Sequence, residues 1–264
     1  AFEIPDLPDG DYTVRVKLKG YDTSIFERTI TRKHFEWENN RLGMSNIIYK
    51  PFEPIEVDGD QLRVVMRHHT IGPLGFWKAL SICDNRNRDR FQELLAGPIQ
   101  LTVNNGQPLQ GTGEFTEVKD HVATYEAEGK HPAVAVQVKT ITEYDGCQRV
   151  EMTLEPGTQG KELQNMWLDI PIKDEMAPLW HCTSTTIRNN PAGSTPEGQG
   201  LVWDSREFPD GSWYGNFKPY IWFGAEERGI CWFADNDRNW VLDVDEEDPE
   251  ASSACLEVFR KDVV

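Results

Sequence analysis

The sequence predicts an all-β protein: a large antiparallel β-sandwich, supersandwich-like in its strand lengths, preceded by a short N-terminal hairpin from an upstream β domain. Three observations predict this class. Many short runs alternate apolar and polar residues with a period of two, as half-buried strands do. Glycine, proline and aspartate interrupt these runs at short intervals, as the turns of a sandwich require. Runs with a helical period are scarce.

The first two strands are predicted within residues 1–33. The run 11–19 alternates regularly after a Pro-Asp-Gly turn signal, whereas the run 24–31 alternates imperfectly. Two strands bury too little apolar surface to be stable by themselves. We therefore expect residues 1–33 to complete an upstream β domain and residues 34–264 to form the large sandwich.

The remaining strands are predicted within the large sandwich. The runs 133–144 and 147–155 are long, and the Asp-Gly between them is a strong hairpin signal. Helices are considered only at 75–82 and 88–95. The last predicted strand ends close to the final residue, so we expect the sandwich to be truncated at its C-terminal end. The other predicted strands are 61–66, 99–103, 114–118, 121–127, 163–170, 200–204, 219–224, 229–234, 239–244 and 254–260.

The charge of the chain excludes several classes of partner. It has 44 acidic and 27 basic residues and a net charge of −17. Such a field repels phosphate backbones and anionic membranes. No apolar run approaches the roughly 18 residues that a membrane-spanning helix needs. We therefore predict no nucleic-acid partner and no membrane insertion.

The cysteines and short motifs point to no common reaction centre. Five cysteines are widely spaced and odd in number, which argues against a disulfide framework. Several lie in apolar runs such as Gly229-Ile-Cys-Trp-Phe233, where we expect buried reduced thiols. No Gly-x-Ser-x-Gly, phosphate-binding glycine loop or His-Glu-x-x-His motif occurs. The sequence therefore predicts no cofactor, metal or catalytic residue.

Two longer segments resemble a known family. They are Phe35-Glu-Trp-Glu-Asn-Asn-Arg-Leu-Gly43 with Pro51-Phe-Glu-Pro-Ile55, and Pro219-Tyr-Ile-Trp-Phe-Gly-Ala-Glu-Glu-Arg-Gly-Ile-Cys-Trp-Phe-Ala-Asp-Asn-Asp-Arg-Asn-Trp240. Both are similar to the β-sandwich region that precedes a (β/α)8 barrel in glycoside hydrolase family 123-like proteins. The resemblance covers roughly residues 35–260. It implies a bacterial protein that is secreted, periplasmic or on the cell surface.

The same resemblance implies where the chemistry lies. Characterised family members remove N-acetylgalactosamine from glycans with help from the acetamido group of the substrate, using an acidic pair on the barrel. The strand–helix alternation of a barrel does not occur in this sequence. The resemblance therefore implies that the catalytic pair lies outside this chain, and that its partners are a glycan or polysaccharide and the barrel itself.

Acidic clusters have plainer interpretations than catalysis. Glu226-Glu227 is expected to form a solvated hairpin turn, and the run Asp243–Glu250 an exposed loop. The segment Asp235-Asn-Asp-Arg-Asn239 spaces three oxygen side chains as a calcium loop does, and a carboxylate stands at the twelfth position. The sixth position lacks the glycine of such loops, so we favour a polar turn and leave calcium open.

Three histidines invite an acid–base or metal role. Adjacent side chains of a strand point to opposite faces, so His68 and His69 cannot serve one site without a bulge. For both, and for His181, we expect partly buried and hydrogen-bonded positions.

Aromatic residues are densest between positions 203 and 240, and core packing is expected for most of them. Tyr220 and Trp222 alternate with apolar neighbours, which predicts a strand buried on both faces. Trp213, Tyr214 and Asn216 lie in a loop-like stretch rich in glycine and polar residues. These three are the predicted substrate-binding residues, bordering a sugar site.

The leading hypothesis is a non-catalytic β-sandwich region that packs on the barrel and shapes the substrate cleft. It predicts a large exposed apolar surface. The alternative is a self-standing carbohydrate-binding or surface-assembly module, which predicts a short row of exposed aromatic residues. A third reading, an epimerase- or lyase-like enzyme, predicts a deep polar cleft that holds a histidine and a carboxylate.

Overall fold

The computed structural model describes residues 7–20, 26–41, 43–84, 87–183, 190–205, 218–236 and 255–260. In these ranges the chain is almost entirely strand, and every strand pairing is antiparallel. The predicted all-β sandwich is confirmed. The described part of the chain has one short 3-10 helix, at Asp174–Met176, and no helix long and apolar enough to cross a membrane.

The strands are β1 (Gly10–Val16), β2 (Phe26–Arg32), β3 (Glu56–Asp58), β4 (Gln61–Val64), β5 (Arg67–Ile71), β6 (Trp77–Asp84), β7 (Asn87–Glu93), β8 (Gln100–Val103), β9 (Gly111–Lys119), β10 (Val122–Lys130), β11 (Val134–Glu143), β12 (Gln148–Pro156), β13 (Met166–Asp169), β14 (Leu179–Cys182), β15 (Ala192–Ser194), β16 (Gly200–Asp204), β17 (Tyr220–Ala225), β18 (Arg228–Phe233) and β19 (Glu257–Arg260).

The chain divides into two compact units, Ala1–Ile47 and Ile48–Val264. The first contains the predicted hairpin, in which β1 pairs with β2 over its whole length. One face of the hairpin is polar, and Arg15 and Glu27 form an ion pair of 2.9 Å there. The other face carries apolar side chains that stay exposed, among them Val16 and Phe26. The expected domain boundary at residue 33 stays a prediction.

The second unit contains a five-stranded sheet, β3-β4-β5-β6-β7, and a four-stranded sheet, β12-β11-β10-β9. Leu62 and Val64 of the first sheet pack against Ala123 of the second. A larger core lies under β10 and β11, where Val136 and Val138 meet Leu101 of β8 and the loop before β6. The two sheets and their loops therefore bury a common interior.

The loop between β5 and β6 seals this core. Its Leu74 and Phe76 are buried, and the chain turns at Gly75 with a φ of +82°. The hydroxyl of Thr140, on β11, donates to the carbonyl oxygen of Gly75 over 3.0 Å. Leu74 occupies the space above Gly111, and a side chain at position 111 would collide with it. The glycine on β9 thus lets the loop lie close to the sheet.

A second pair of layers completes the unit. The sheet β15-β14-β17-β18 packs against the paired strands β16 and β19 through a cluster that includes Trp180, Cys182, Ile221 and Trp203. Ile230 of β18 also joins a cluster with Leu80 and Leu94 near the five-stranded sheet.

The helices considered at 75–82 and 88–95 are wrong, because these segments form β6 and β7. β6 is an interior strand of its sheet, and its Leu80 and Ile82 point into the protein core. The carboxylate of Glu93 accepts from the backbone amide of Leu80 at 2.7 Å, which fixes the end of β7 against β6. Strand pairing and burial therefore override the helical propensity of this charged segment.

The turn signals were more reliable. The predicted Asp-Gly hairpin joins β11 to β12, and Gly146 adopts a φ of +83°. The backbone amide of Gly146 donates to the carbonyl of Glu143. Glu226 and Glu227 form the predicted two-residue turn between β17 and β18.

Candidate functional site

The predicted substrate-binding residues Trp213, Tyr214 and Asn216 lie outside the described residues, so the structure does not test them. The same holds for the run Asp243–Glu250 and for most of the calcium-like pattern, of which Asp235 and Asn236 are described. In the ranges that the structure describes, no group of three or more His, Cys, Asp or Glu side chains is placed to hold a metal ion.

A groove of about 700 Å³ lies on the outward face of the sheet β12-β11-β10-β9. Alternation along the strands turns the polar residues of all four strands to this face, while the other face covers the core. The polar lining comprises Thr112, Glu114, Glu126, Glu128, Gln137, Lys139, Glu151 and Thr153.

The strand register sets the electrostatics of the groove. Lys139 lies directly between Glu126 on β10 and Glu151 on β12, and Glu126 faces Glu114 on β9. A lysine flanked by carboxylates on both sides offsets the repulsion between glutamates that adjoin across strands. These side chains are exposed. The groove therefore presents hydrogen-bonding groups in rows, whereas a general acid would need a drier environment.

Strand β12 borders the groove and also an uncovered apolar row. Val150, Met152 and Leu154 point to the core face, opposite the groove. Val138, the partner of Met152 on β11, is 2% exposed, whereas Met152 is 40% exposed. β12 is the last strand of its sheet, so its apolar face extends beyond the strand β8 and the loop before β6, which cover β10 and β11.

His68 and His69 lie on opposite faces of β5, as predicted. His68 is partly exposed and stacks on Phe91. His69 is fully buried, and neither ring nitrogen has a hydrogen-bond partner among the described residues. The expectation of a hydrogen bond is therefore wrong for His69, because its neighbours across the strands are Leu62 and Leu80. Burial lowers the pKa of His69 to about 3, with smaller contributions from the nearby Arg67 and His68.

Tyr220 and Trp222 were predicted to be buried with their strand, and this is wrong. Ile221 is buried, but Tyr220 and Trp222 are partly exposed, because they point to the outer face of β17. The Tyr220 hydroxyl lies 2.6 Å from Nδ1 of His181, which therefore has the hydrogen bond expected for it. Cys231, on the same outer face, is exposed and not buried as expected.

One buried pair of a lysine and a cysteine was not predicted from the sequence. Lys218 is 1% exposed, and the buried Cys182 lies close enough to affect its charge. Burial lowers the pKa of Lys218, and the Cys182 thiol opposes that effect. Burial raises the pKa of the Cys182 thiol to about 11. The two residues come from separate segments, so no local pattern could bring them together.

Comparison with known proteins identifies the region that contains the groove. The model of the family described as "Glycoside hydrolase 123, third domain" matches residues 55–226, well over half of the chain. No curated protein and no solved structure matches the chain.

Proposed function

Since the chain belongs to the glycoside hydrolase 123 family, we propose that it is a non-catalytic β-sandwich region of a glycan-acting hydrolase, which supports the catalytic barrel and shapes one wall of the substrate cleft. The matched model describes a third domain, so proteins of this family contain further domains for the sandwich to pack against. We also propose that the protein is secreted, periplasmic or on the cell surface. Fractionation of cells that produce it should recover it outside the cytoplasm.

One observation carries this proposal: β12 borders both the groove and the uncovered apolar row. Glu151 and Thr153 line the groove, and Met152 and Leu154 point to the opposite face of the same strand. Apolar side chains exposed in a row mark a surface for another protein element. A barrel docked on this row would reach the free edge of β12, which is also one border of the groove.

The groove itself favours binding over hydrolysis. Its four glutamates, Glu114, Glu126, Glu128 and Glu151, are exposed. Exposed carboxylates, glutamine and lysine are suited to accept and donate hydrogen bonds to sugar hydroxyls. No histidine is among the described residues that line the groove, which disfavours the epimerase- or lyase-like alternative.

The docking role is tested on Met152. Met152→Glu should lower the affinity of the chain for the separately produced barrel of the same hydrolase by about tenfold or more, because a charge would be desolvated at the contact. Thr153→Glu, on the groove face of the same strand, is the matched control and should leave the affinity nearly unchanged. Equal binding of the barrel by the wild type and Met152→Glu, measured by calorimetry, would refute docking on β12.

The non-catalytic role is tested by assaying the isolated chain on aryl N-acetylgalactosaminides and on a glycan panel. We expect no hydrolysis. Turnover that survives further purification and scales with chain concentration would show that the catalytic pair lies within the chain.

We extend the proposal to the N-terminal hairpin. Its apolar face, with Val14, Val16 and Phe26, is exposed, and a two-stranded hairpin is marginal alone. We propose that this face is completed by another β domain of the same protein.

A further inference from the structure

The outer face of the sheet β15-β14-β17-β18 carries a compact set of ring side chains. His181 on β14, Trp222 on β17 and Cys231 on β18 lie side by side in one row. Tyr220 and Phe233 form the next row. Phe233 is 51% exposed, and Tyr220, His181 and Trp222 are partly exposed. The opposite face of the same strands packs into the core, so the outer rings are not needed to fill it.

Two glycines allow Trp222 to lie low on this face. A Cβ added to Gly229 would meet the Trp222 Nε1 at 2.5 Å, and one added to Gly224 would also collide with the indole. The ring therefore occupies the space that two side chains would take, and it rests along the sheet. An aromatic ring supported from below by backbone keeps its position when a ligand covers it, so little order is lost on binding.

Hydrogen-bonding groups lie next to the indole. Tyr220 is two residues from Trp222 on the same face, and its hydroxyl lies 2.6 Å from His181 Nδ1. His181 is also the direct cross-strand neighbour of Trp222. When Tyr220 donates to Nδ1, the Nε2 of a neutral His181 carries the proton and is a donor. The pair holds the two polar groups in fixed places beside the flat apolar surface.

We propose that this outer face binds a pyranose ring of an uncharged glycan, stacked on Trp222 and hydrogen-bonded by His181 and Tyr220. One face of a pyranose presents C–H groups, and its hydroxyls project at the rim. A supported indole matches the first feature, and polar groups at its edge match the second. The net charge of −17 disfavours sulfated or uronic-acid chains. The inference takes only its ligand class, a glycan, from the proposed function.

The test measures binding to the whole chain by calorimetry. The probes are N-acetylgalactosamine, the neutral trimer of N-acetylglucosamine, and a sulfated chondroitin oligosaccharide. A neutral probe should bind the wild type, and Trp222→Ala should weaken that binding by about tenfold or more. Tyr220→Phe keeps the ring and should weaken binding about two- to tenfold, the effect of one lost hydrogen bond.

Trp167→Ala is the matched control. Trp167 is 40% exposed on β13, on a different sheet, and its loss should leave the affinity unchanged. Circular dichroism and the thermal midpoint confirm that each variant is folded. Equal affinity of Trp222→Ala and the wild type, tighter binding of the sulfated probe, or no binding of either neutral probe would each overturn the proposal. The barrel-binding test on Met152 uses no glycan, so it fails or succeeds independently.

Discussion

His69 makes the sandwich sensitive to acid. The side chain is fully buried, and its pKa is lowered to about 3, first by burial and then by Arg67 and His68. In the unfolded chain a histidine has a pKa of about 6.5. Between these values the unfolded state binds a proton that the native state does not bind, so the free energy of unfolding falls as the pH falls. The loss begins near pH 6.5 and is complete below about pH 3.

The size of the effect follows from the two pKa values. At pH 5 the coupling amounts to about 2 kcal/mol, and below pH 3 it approaches about 5 kcal/mol. A loss of this size is a substantial part of the stability of a typical domain. The neighbours of His69 do not offset the cost of charging its ring. Leu62 and Leu80 flank His69 across the strands, and Trp77 packs against it edge-on, with 5.3 Å between the ring centroids.

The assay is urea unfolding of the wild type and of His69→Leu at pH 7.5 and pH 5. The wild type should lose about 2 kcal/mol more than His69→Leu between these two pH values. We compare the change in unfolding free energy between the two pH values. This removes any effect that the leucine itself has at neutral pH, and the titration of the carboxylates is common to both proteins. His68→Leu, which removes a partly exposed histidine, is the control and should change the slope less. Parallel pH dependences for the wild type and His69→Leu would refute the reasoning.

Three further outcomes are expected. Thr140→Val should lower the unfolding free energy by about 1–3 kcal/mol, because the buried carbonyl of Gly75 loses its donor; Thr153→Val, exposed on β12, should change it by less than about 0.5 kcal/mol, and similar losses would contradict this. At pH 8, iodoacetamide should modify the exposed Cys231 well before Cys182, whose thiol is buried with a pKa of about 11; peptide mass spectrometry gives the order, and equal rates would count against it. Amides of β1 and β2 in the isolated chain should exchange with solvent much faster than those of β10 and β11; slow exchange in the hairpin would argue against an incomplete unit.

Local pattern was enough for most of the strands. The alternation in 133–144 and 147–155 and the Asp-Gly between them predicted β11, β12 and their hairpin, because period and turn chemistry are both properties of neighbouring residues. The segments 75–82 and 88–95 were misassigned although they pair with neighbouring strands, because pairing and burial outweigh their local helical propensity. The strands β3, β14 and β15 were missed because they are short, so few residues carry the alternating pattern.

The candidate sites depended more on assembly. No run in the sequence marks the groove, which arises only when Glu126, Lys139 and Glu151 from three strands come into register. The apolar row on β12 looked like any other buried strand face until its edge position left it uncovered. The proposed sugar site was dismissed as a doubly buried strand, because alternation cannot tell which faces other elements will cover.

The sequence by itself determined that this chain is an acidic antiparallel β protein that resembles glycoside hydrolase family 123 at 35–55 and 219–240. Composition, the alternation of apolar and polar residues, and turn signals are all set by adjacent residues. Only the tertiary structure decided which faces are covered. Ile221 is enclosed while Trp222 lies on the outer face, and Val138 is enclosed while Met152 stays open. Burial depends on which distant strands pack against a face, and no single segment of the sequence determines those contacts.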